Sequence, residues 1–432
     1  MKIKLSKSIL FLSLMFLTGL AYANEASPGN TAWILTSTAL VLFMTIPGLS
    51  MFYAGLVRSK NVLSVFMQCF AITGVVSILW LVLGYSLAFG EGNALIGDFS
   101  KVLFANIGRD SLFGDIPESL FAMFQMTFAI ITPALIVGAF AERMKFSSML
   151  LFSGIWSLLV YAPIAHWVWG GGWLGAMGVY DFAGGLVVHI SAGVAALVVA
   201  IVLGPRKGFP GTAMPPHNLP MTIGGAGMLW IGWFGFNGGS ALAANGDAAM
   251  AVLVTHISAS MGAVTWMFIE WKKFGKPSAL GAVTGMVAGL GTITPASGFV
   301  SPAGALVIGL LAGFVCFHAT QYIKRKLKID DSLDVFPVHG VGGILGTLMA
   351  GIFASTELGV FSGYGFAEGI TSITEQFTVQ LLAVGATVIF TAAATYVILK
   401  LVGAITGGLR VDEEHESRGL DIVSHEESGY NW

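Results

Sequence analysis

Long apolar stretches alternate with short polar segments along most of the chain. From residue 31 onward the pattern predicts eleven apolar spans. They cover roughly residues 31–54, 62–89, 119–140, 147–166, 183–203, 220–244, 248–270, 278–294, 302–322, 336–354 and 377–403. Most have about the 20 residues that a helix needs to cross a ~30 Å hydrocarbon layer. The sequence therefore predicts an all-α membrane protein with eleven transmembrane helices.

The N-terminus carries a separate, shorter apolar segment. Lys2, Lys4 and Lys7 precede the run ILFLSLMFLTGL, and AYA at residues 21–23 has the small-residue pattern of a signal peptidase site. We interpret residues 1–23 as a signal peptide, with an uncleaved first helix as the alternative. Cleavage would leave the mature N-terminus outside the cytoplasm.

Basic side chains lie mostly in alternate loops between the predicted spans. Loops on one side carry Arg58, Lys60, Arg143, Lys145, Arg206, Lys207, Lys272, Lys273, Lys276, Lys324, Arg325, Lys326 and Lys328. The opposite loops carry Lys101 and Arg109. Because basic loops stay in the cytoplasm, this bias predicts an outside N-terminus and a cytoplasmic C-terminus. Residues 24–404 form the predicted transmembrane domain, and residues 405–432 a cytoplasmic tail.

Composition agrees with a membrane protein and excludes other classes. The chain is 55% hydrophobic and 10% charged, with a net charge of -2. That charge argues against nucleic-acid binding. Cys69 and Cys316 both fall within apolar spans, so they predict buried thiols rather than a disulfide framework.

Eleven spans can divide into five, five and one. Because five is odd, a duplicated five-helix unit would insert its second copy upside down, an arrangement that builds a site at mid-membrane between the repeats. The segment DFAGGLVVH opens the fifth span with Asp181 and His189, and DVFPVH opens the tenth with Asp334 and His339. We therefore predict two inverted five-helix repeats plus one C-terminal helix.

These acidic and imidazole groups have both structural and functional interpretations. Asp181 stands immediately before a helical run, where its carboxylate can accept from N–H groups of the first turn. We favour this capping role over direct substrate contact and interpret Asp334 in the same way. His189 and His339 are matched in position, and ionisable groups within the membrane tend to face a pathway or each other.

Two other histidines within the predicted spans have no matched partner. His256 and His318 are interpreted as structural. No HxxxH motif or His/Cys cluster accompanies His189 or His339, so we predict no metal and no cofactor.

Aromatic residues form a second group near the outer ends of three spans. They are Phe124 and Phe128 in FQMTF, Trp167, Trp169 and Trp173 in AHWVWGGGW, and Trp233 and Phe236, with Ser240, in GWFGFNGGS. An interfacial aromatic belt is the simple explanation. The adjacent glycines favour instead an outward-facing cup of rings and a hydroxyl, which would attract a small cation by cation–π interaction.

Several segments resemble the ammonium transporter (Amt/Mep/Rh) family, and most closely its bacterial Amt branch. They are TALVLFMTIPGLSMFYAGLVRSKNVLS, GYSLAFGEGN, DFAGGLVVHISAGVAALVVAIVLGPR, PHNLP, IGWFGFN, DVFPVHGVGG and GLRVDEEHESRGLDIVSHEESGYN. The resemblance runs from about residue 31 to the C-terminus.

The resemblance implies a function and an assembly. It implies a transporter, not an enzyme, in the cell's inner membrane, assembled as a homotrimer with one pore per subunit. The substrate would be ammonium, deprotonated on entry and conducted as ammonia, with methylammonium as an analogue. The tail would be regulatory and would be read by a PII-type nitrogen regulatory protein that plugs the pore from the cytoplasm. The sequence does not show whether the proton also crosses the membrane.

The resemblance also implies roles for residues that match the family's motifs. Substrate recruitment falls on Phe128, Trp169 and Ser240, an aromatic gate on Phe128 and Phe236, and the pore on His189 and His339. Asp181 occupies an acidic position with a structural or deprotonating role. Pro337 stands where some relatives are expected to have Gly.

Three other roles remain open at this point. A sensor in the same scaffold, a channel for another neutral gas and an intramembrane metalloenzyme all fit the membrane topology. Competition by carbon dioxide against methylammonium uptake would favour the gas channel, and stoichiometric metal would favour the enzyme.

Overall fold

The computed structural model describes residues 25–430, and most of them lie in helices. The predicted signal peptide, residues 1–23, lies outside the described residues. A short antiparallel hairpin precedes the third long helix, with β1 (Leu112–Phe113) paired to β2 (Ile116–Pro117).

Apolar helices make up the body of the described chain. In chain order they are α1 (Pro28–Leu56), α2 (Ser59–Phe89), α3 (Glu118–Phe140), α4 (Phe146–Ala176), α5 (Gly185–Leu203), α6 (Leu219–Gly238), α7 (Gly246–Phe274), α8 (Ala279–Ile293), α9 (Pro302–Lys326), α10 (Phe336–Phe353) and α11 (Ile373–Ile405). Ten of them are long and apolar enough to cross a membrane, whereas α8 has 15 residues. The prediction of an all-α membrane protein is confirmed. The count of eleven spanning helices and the inverted repeats stay predictions.

Polar caps begin many of these helices. Side chains of Ser27, Asn218, Asn245, Ser278, Ser301 and Ser372 each accept a hydrogen bond from a backbone N–H of the first turn. Such caps satisfy donors that have no partner within the helix. These six helices begin within four residues of the predicted starts, whereas α4 ends ten residues beyond its predicted span and α6 ends six residues before its own.

Ion pairs define one face of the helix bundle, which we call the tail face. It comprises segments 57–58, 141–145, 204–218, 275–278 and 327–335, together with the tail. Glu142 is 1% exposed and pairs with Arg58 at 2.5 Å and with Arg206 at 3.4 Å. Arg206 also pairs with Asp330 at 2.9 Å. Pairing offsets the desolvation of these charges and ties together loops that are distant in sequence.

The opposite ends of the helices form the far face. It comprises segments 90–117, 177–184, 239–245, 294–301 and 354–372. Phe182 N–H donates to the carbonyl of Pro295 at 3.1 Å, and Tyr364 N–H donates to that of Phe299 at 3.1 Å. The chain from the start of α8 through Pro295 therefore runs from the tail face to the far face.

The described part of the tail is folded against the tail face. It contains α12 (Glu413–Arg418) and α13 (Leu420–His425). The Asp421 carboxylate accepts from Ser64 N–H at 2.8 Å, and Leu420 N–H donates to the Asn61 side chain at 2.8 Å. These contacts connect the tail to the beginning of α2.

Charged contacts extend the docking of the tail to a predicted basic loop. Glu416 accepts from Lys207 N–H at 2.7 Å and from Arg410 at 2.6 Å. The basic loop at 206–207 thus contacts the acidic tail. In the basic segment at 324–328, Lys324 pairs instead with Asp334 at 2.8 Å.

A candidate pore between two cavities

An aromatic cavity opens on the far face, and we call it the far cavity. Its volume is about 170 Å³. It is lined by Phe89, Phe113, Phe121, Gln125, Phe128, Trp169, Phe182, Ser240 and Leu242. None of these lining residues is charged, so attraction of a cation here would rest on ring faces and neutral oxygens.

The three predicted recruitment residues meet in this cavity. The rings of Phe128 and Trp169 lie edge to face, with centroids 6.0 Å apart. Trp169 Nε1 donates to the carbonyl of Asp181 at 2.9 Å, which fixes the indole orientation. The Ser240 hydroxyl donates to the carbonyl of Phe236 at 2.9 Å, so its lone pairs are available to accept.

The predicted gate lies directly beneath. Phe128 and Phe236 have ring centroids 4.4 Å apart, and each is 1% exposed. Phe236 lies in a wide π-helical turn, Phe234–Gly238, that ends α6. In this conformation the two rings close the bottom of the far cavity.

His189 and His339 meet below this gate. Their Nδ1 atoms lie 3.2 Å apart, and their rings are nearly parallel with centroids 5.2 Å apart. One Nδ1 must donate and the other accept, so the neutral pair presents one Nε2 acceptor and one Nε2–H donor. His189 Nε2 has no hydrogen-bond partner among the described residues. The pair can therefore bind a small molecule that both donates and accepts.

Glycines bring the two histidines together. A Cβ atom on Gly193 would lie 2.2 Å from the backbone nitrogen of Gly340, which shows that α5 and α10 cross in backbone contact there. His189 and His339 lie in π-helical turns, Gly185–Ile190 and Phe336–Val341. Such turns often occur at functional sites because they re-aim side chains.

A second cavity, the tail cavity, reaches the histidines from the opposite side. Its volume is about 130 Å³. It is lined by Phe52, Tyr53, Leu56, Met214, Pro216, Leu280, Thr284, Val287, Lys324, Ser332, Leu333, Asp334, Val338 and His339. A void of about 10 Å³ between the two cavities is lined in part by Phe236, His189 and His339. The cavities and the void together outline an interrupted path through the bundle.

The Asp181 carboxylate makes the predicted capping contacts. It accepts from the backbone N–H groups of Gly184, Gly185, Leu186 and Val187 at 2.5–3.2 Å. Burial raises the pKa of Asp181 above its ordinary value, although these donors oppose the shift. The side chain thus supports the beginning of α5 just before His189.

The interpretation of Asp334 as the equivalent cap is wrong. Its carboxylate pairs with Lys324, whereas Asp331 accepts from Phe336 N–H at 2.7 Å. Asp331 precedes His339 by the same number of residues as Asp181 precedes His189. Asp334 adopts a left-handed backbone, φ 61°, which turns its side chain away from the helix start. The pKa of Asp331 is raised to about 6, mainly by burial and then by the nearby Asp334 carboxylate.

Of the other residues noted in the sequence, Trp233 lines the void and stacks on His189 with ring centroids 5.4 Å apart. The others, His256, His318, Phe124, Trp167 and Trp173, line neither the cavities nor the void. His318 is exposed and its Nδ1 contacts the Phe314 carbonyl at 2.8 Å, while His256 is exposed and packs on Trp230. Phe124 packs edge to face against Phe128. Within residues 25–430 there is no group of three or more His, Cys, Asp or Glu side chains that could hold a metal ion.

Some lining residues were not predicted from the sequence. Phe121 lies two helical turns before Phe128, so helical spacing could have identified it. Gln125 stands within the FQMTF segment, but a polar residue in an apolar span has no unique interpretation. Phe113 stacks on Phe121 with centroids 3.7 Å apart because the hairpin folds over the cavity, and no local pattern indicates that contact.

A buried path between two cavities in a bundle of apolar helices defines a membrane transport protein for a small solute. Residues 32–430 match the profile of the Ammonium Transporter Family. The chain belongs to the ammonium transporter family.

Individual relatives match nearly end to end. The chain is 48% identical over 406 residues to the ammonium transporter of Bacillus subtilis, covering 93% of this chain and 98% of the relative. It is 46% identical over 422 residues to the ammonium transporter of Aquifex aeolicus, covering 97% of each.

Solved structures share the fold. Saccharomyces cerevisiae Mep2 superposes with a TM-score of 0.82 at 36% identity, over 90% of this chain and 89% of that one. A structure described as a sensor Amt protein gives 0.84 at 30% identity, over 92% of this chain and 98% of that one.

Proposed function

We propose that this protein transports ammonium across the inner membrane, recruiting the cation in the far cavity and conducting ammonia past the histidine pair. The observation that carries the proposal is the contact between His189 and His339 beneath a closed aromatic gate. Family membership supports the substrate. The basic side chains of the tail face support a cytoplasmic position for that face.

Selectivity has to rest on chemistry rather than size. Ammonium and potassium have nearly the same radius, but ammonium can donate hydrogen bonds and lose a proton. An intact charge in mid-bilayer costs about 2.5 kcal/mol or more, whereas neutral ammonia faces a much smaller barrier. The Phe128–Phe236 gate disfavours the cation, and the imidazole pair can exchange hydrogen bonds with ammonia.

Asp181 has two compatible parts in this scheme. Its carboxylate holds the beginning of α5 and its carbonyl holds Trp169, so it shapes both the pore and the far cavity. A direct part in removing the proton would require the carboxylate to release at least one of its backbone donors.

The substrate can be tested with purified protein in liposomes. Radiolabelled methylammonium should enter, and excess ammonium should compete. Uptake equal to that of protein-free liposomes would reject the proposal.

Trp169→Leu tests recruitment by ring faces. We expect the apparent affinity for ammonium to weaken roughly 2- to 30-fold, because a cation–π contact contributes about 0.5–2 kcal/mol. The measurement is the ammonium concentration that halves methylammonium uptake. Trp167→Leu is the matched control, since Trp167 does not line the far cavity. An unchanged affinity in Trp169→Leu would make this residue part of an interfacial belt.

We further propose a homotrimer whose tail is read by a PII-type regulatory protein. The contacts of Asp421 and Glu416 with the beginning of α2 and with Lys207 support a tail that communicates with the transmembrane helices. A sensor role is the second candidate function, since one matched structure is described as a sensor Amt protein.

Deletion of the tail from Val411 onward should preserve the trimer, lower transport and abolish inhibition by the PII-type partner. The reason is that α2 loses the Asp421 contact at its beginning and the partner loses its binding segment. Size-exclusion chromatography and uptake with and without the partner provide the measurements. Normal transport that the partner still blocks would show that the tail has no regulatory part.

A further inference from the structure

Gln125 is a buried polar residue that no role described so far explains. It lies on α3 one turn before Phe128 and lines the far cavity with Ser240 and Trp169. Gln125 is 8% exposed, and no described residue donates a hydrogen bond to its Oε1. A buried acceptor without a donor lowers stability, so its presence here needs a compensating benefit.

The neighbouring polar group on the same face of α3 is already paired. Glu118 accepts from the Tyr85 hydroxyl at 3.0 Å and from Lys101. Gln125 is thus the polar side chain of this face that still has hydrogen-bonding capacity beside the cavity.

Ammonium has more donors than the predicted recruitment residues can accept. It carries four N–H groups in a tetrahedral arrangement, while the rings of Phe128 and Trp169 attract charge without fixing direction. The Ser240 oxygen offers one directional acceptor. A second acceptor, placed on α3 while Ser240 lies on the segment after α6, would orient the cation and satisfy another N–H group.

We propose that the Gln125 amide oxygen is a second hydrogen-bond acceptor for ammonium and a determinant of recognition in the far cavity. The amide group can rotate about its last torsion and present the oxygen to the bound cation. The proposal rests on the recruitment function of this cavity. It also explains how a neutral site can favour a hydrogen-bond donor over potassium, which needs several more oxygens to replace its water.

Gln125→Leu removes the acceptor and replaces it with an apolar side chain of similar size. We expect the ammonium concentration that halves methylammonium uptake to rise about 2- to 12-fold, the equivalent of one hydrogen bond, with little change in maximal rate. Gln125→Glu retains the oxygen acceptor, so affinity should be kept or strengthened.

Gln68→Leu is the matched control. Gln68 is another buried glutamine whose Oε1 has no described donor, and it does not line the far cavity. Its replacement should leave the affinity for ammonium unchanged. Elution as the wild-type oligomer checks that each variant is folded.

The outcomes distinguish the role of Gln125 from the recruitment function on which it rests. If Trp169→Leu weakens ammonium competition but Gln125→Leu does not, the role of Gln125 is overturned while the cavity remains the recruitment site. If neither variant changes the affinity, recruitment in the far cavity itself fails. Equal loss in Gln125→Leu and Gln125→Glu would also overturn the acceptor role.

Discussion

Replacement of either His189 or His339 by Ala should give a folded protein whose ammonium transport falls roughly tenfold or more, or which no longer rejects potassium. Each substitution removes one partner of the 3.2 Å contact and leaves the other imidazole alone in an apolar environment. The remaining ring cannot offer both a donor and an acceptor in the same arrangement. Uptake of radiolabelled methylammonium and rubidium by liposomes measures both properties.

His256→Ala and His318→Ala are controls for this experiment. Both side chains are exposed and neither lines the cavities or the void of the path. They should transport normally. Normal flux with unchanged selectivity in both His189→Ala and His339→Ala would contradict the assignment of the pore.

Gly193→Ala should lower both thermal stability and transport sharply. The added Cβ would lie 2.2 Å from the Gly340 nitrogen, so α5 and α10 would have to separate near the histidines. Overpacking of this kind costs about 1–3 kcal/mol, and separation also breaks the imidazole contact. Melting temperature and methylammonium uptake are the measurements.

Gly385→Ala is the matched control for Gly193→Ala, the substitution at the crossing of α5 and α10. A Cβ at Gly385 on α11 meets no atom within 4 Å, so the substitution should be neutral or slightly stabilising. If Gly193→Ala were as stable and active as Gly385→Ala, close backbone contact would not be what positions the histidines.

The transmembrane helices could be predicted from the sequence because hydropathy is a local property. The observed α5 begins at Gly185 and ends at Leu203, against an expected span of roughly 183–203. Among the helices α1 to α11, α8 is the shortest, with 15 residues. Length alone does not determine whether α8 crosses the membrane. The chain that follows α8 reaches the far face at Pro295.

The sequence could suggest the histidine contact but could not establish its distance. Matched positions in two spans made the pairing of His189 and His339 reasonable, yet their separation depends on the Gly193–Gly340 crossing between distant segments. The interpretation of Asp334 as a helix cap failed for a local reason. Proximity to the helix start favoured Asp334, but its left-handed backbone and the Lys324 ion pair direct the carboxylate elsewhere.

The far cavity was predicted in part. Phe128, Trp169 and Ser240 were identified, and all three line it. Phe113 and Gln125 were not, because their positions depend on a hairpin fold and on the rotation of α3. The docked conformation of the tail was not predicted from its local sequence, because Asp421 and Glu416 stabilise it through contacts with segments distant in the chain.

The most direct test of the account compares two cations in the same liposomes. Purified wild-type protein should admit radiolabelled methylammonium in a saturable manner that ammonium suppresses, while rubidium, a substitute for potassium, should enter no faster than it does without protein. Rubidium uptake comparable to that of methylammonium, or methylammonium uptake no greater than in protein-free liposomes, would contradict a selective ammonium path through the histidine pair.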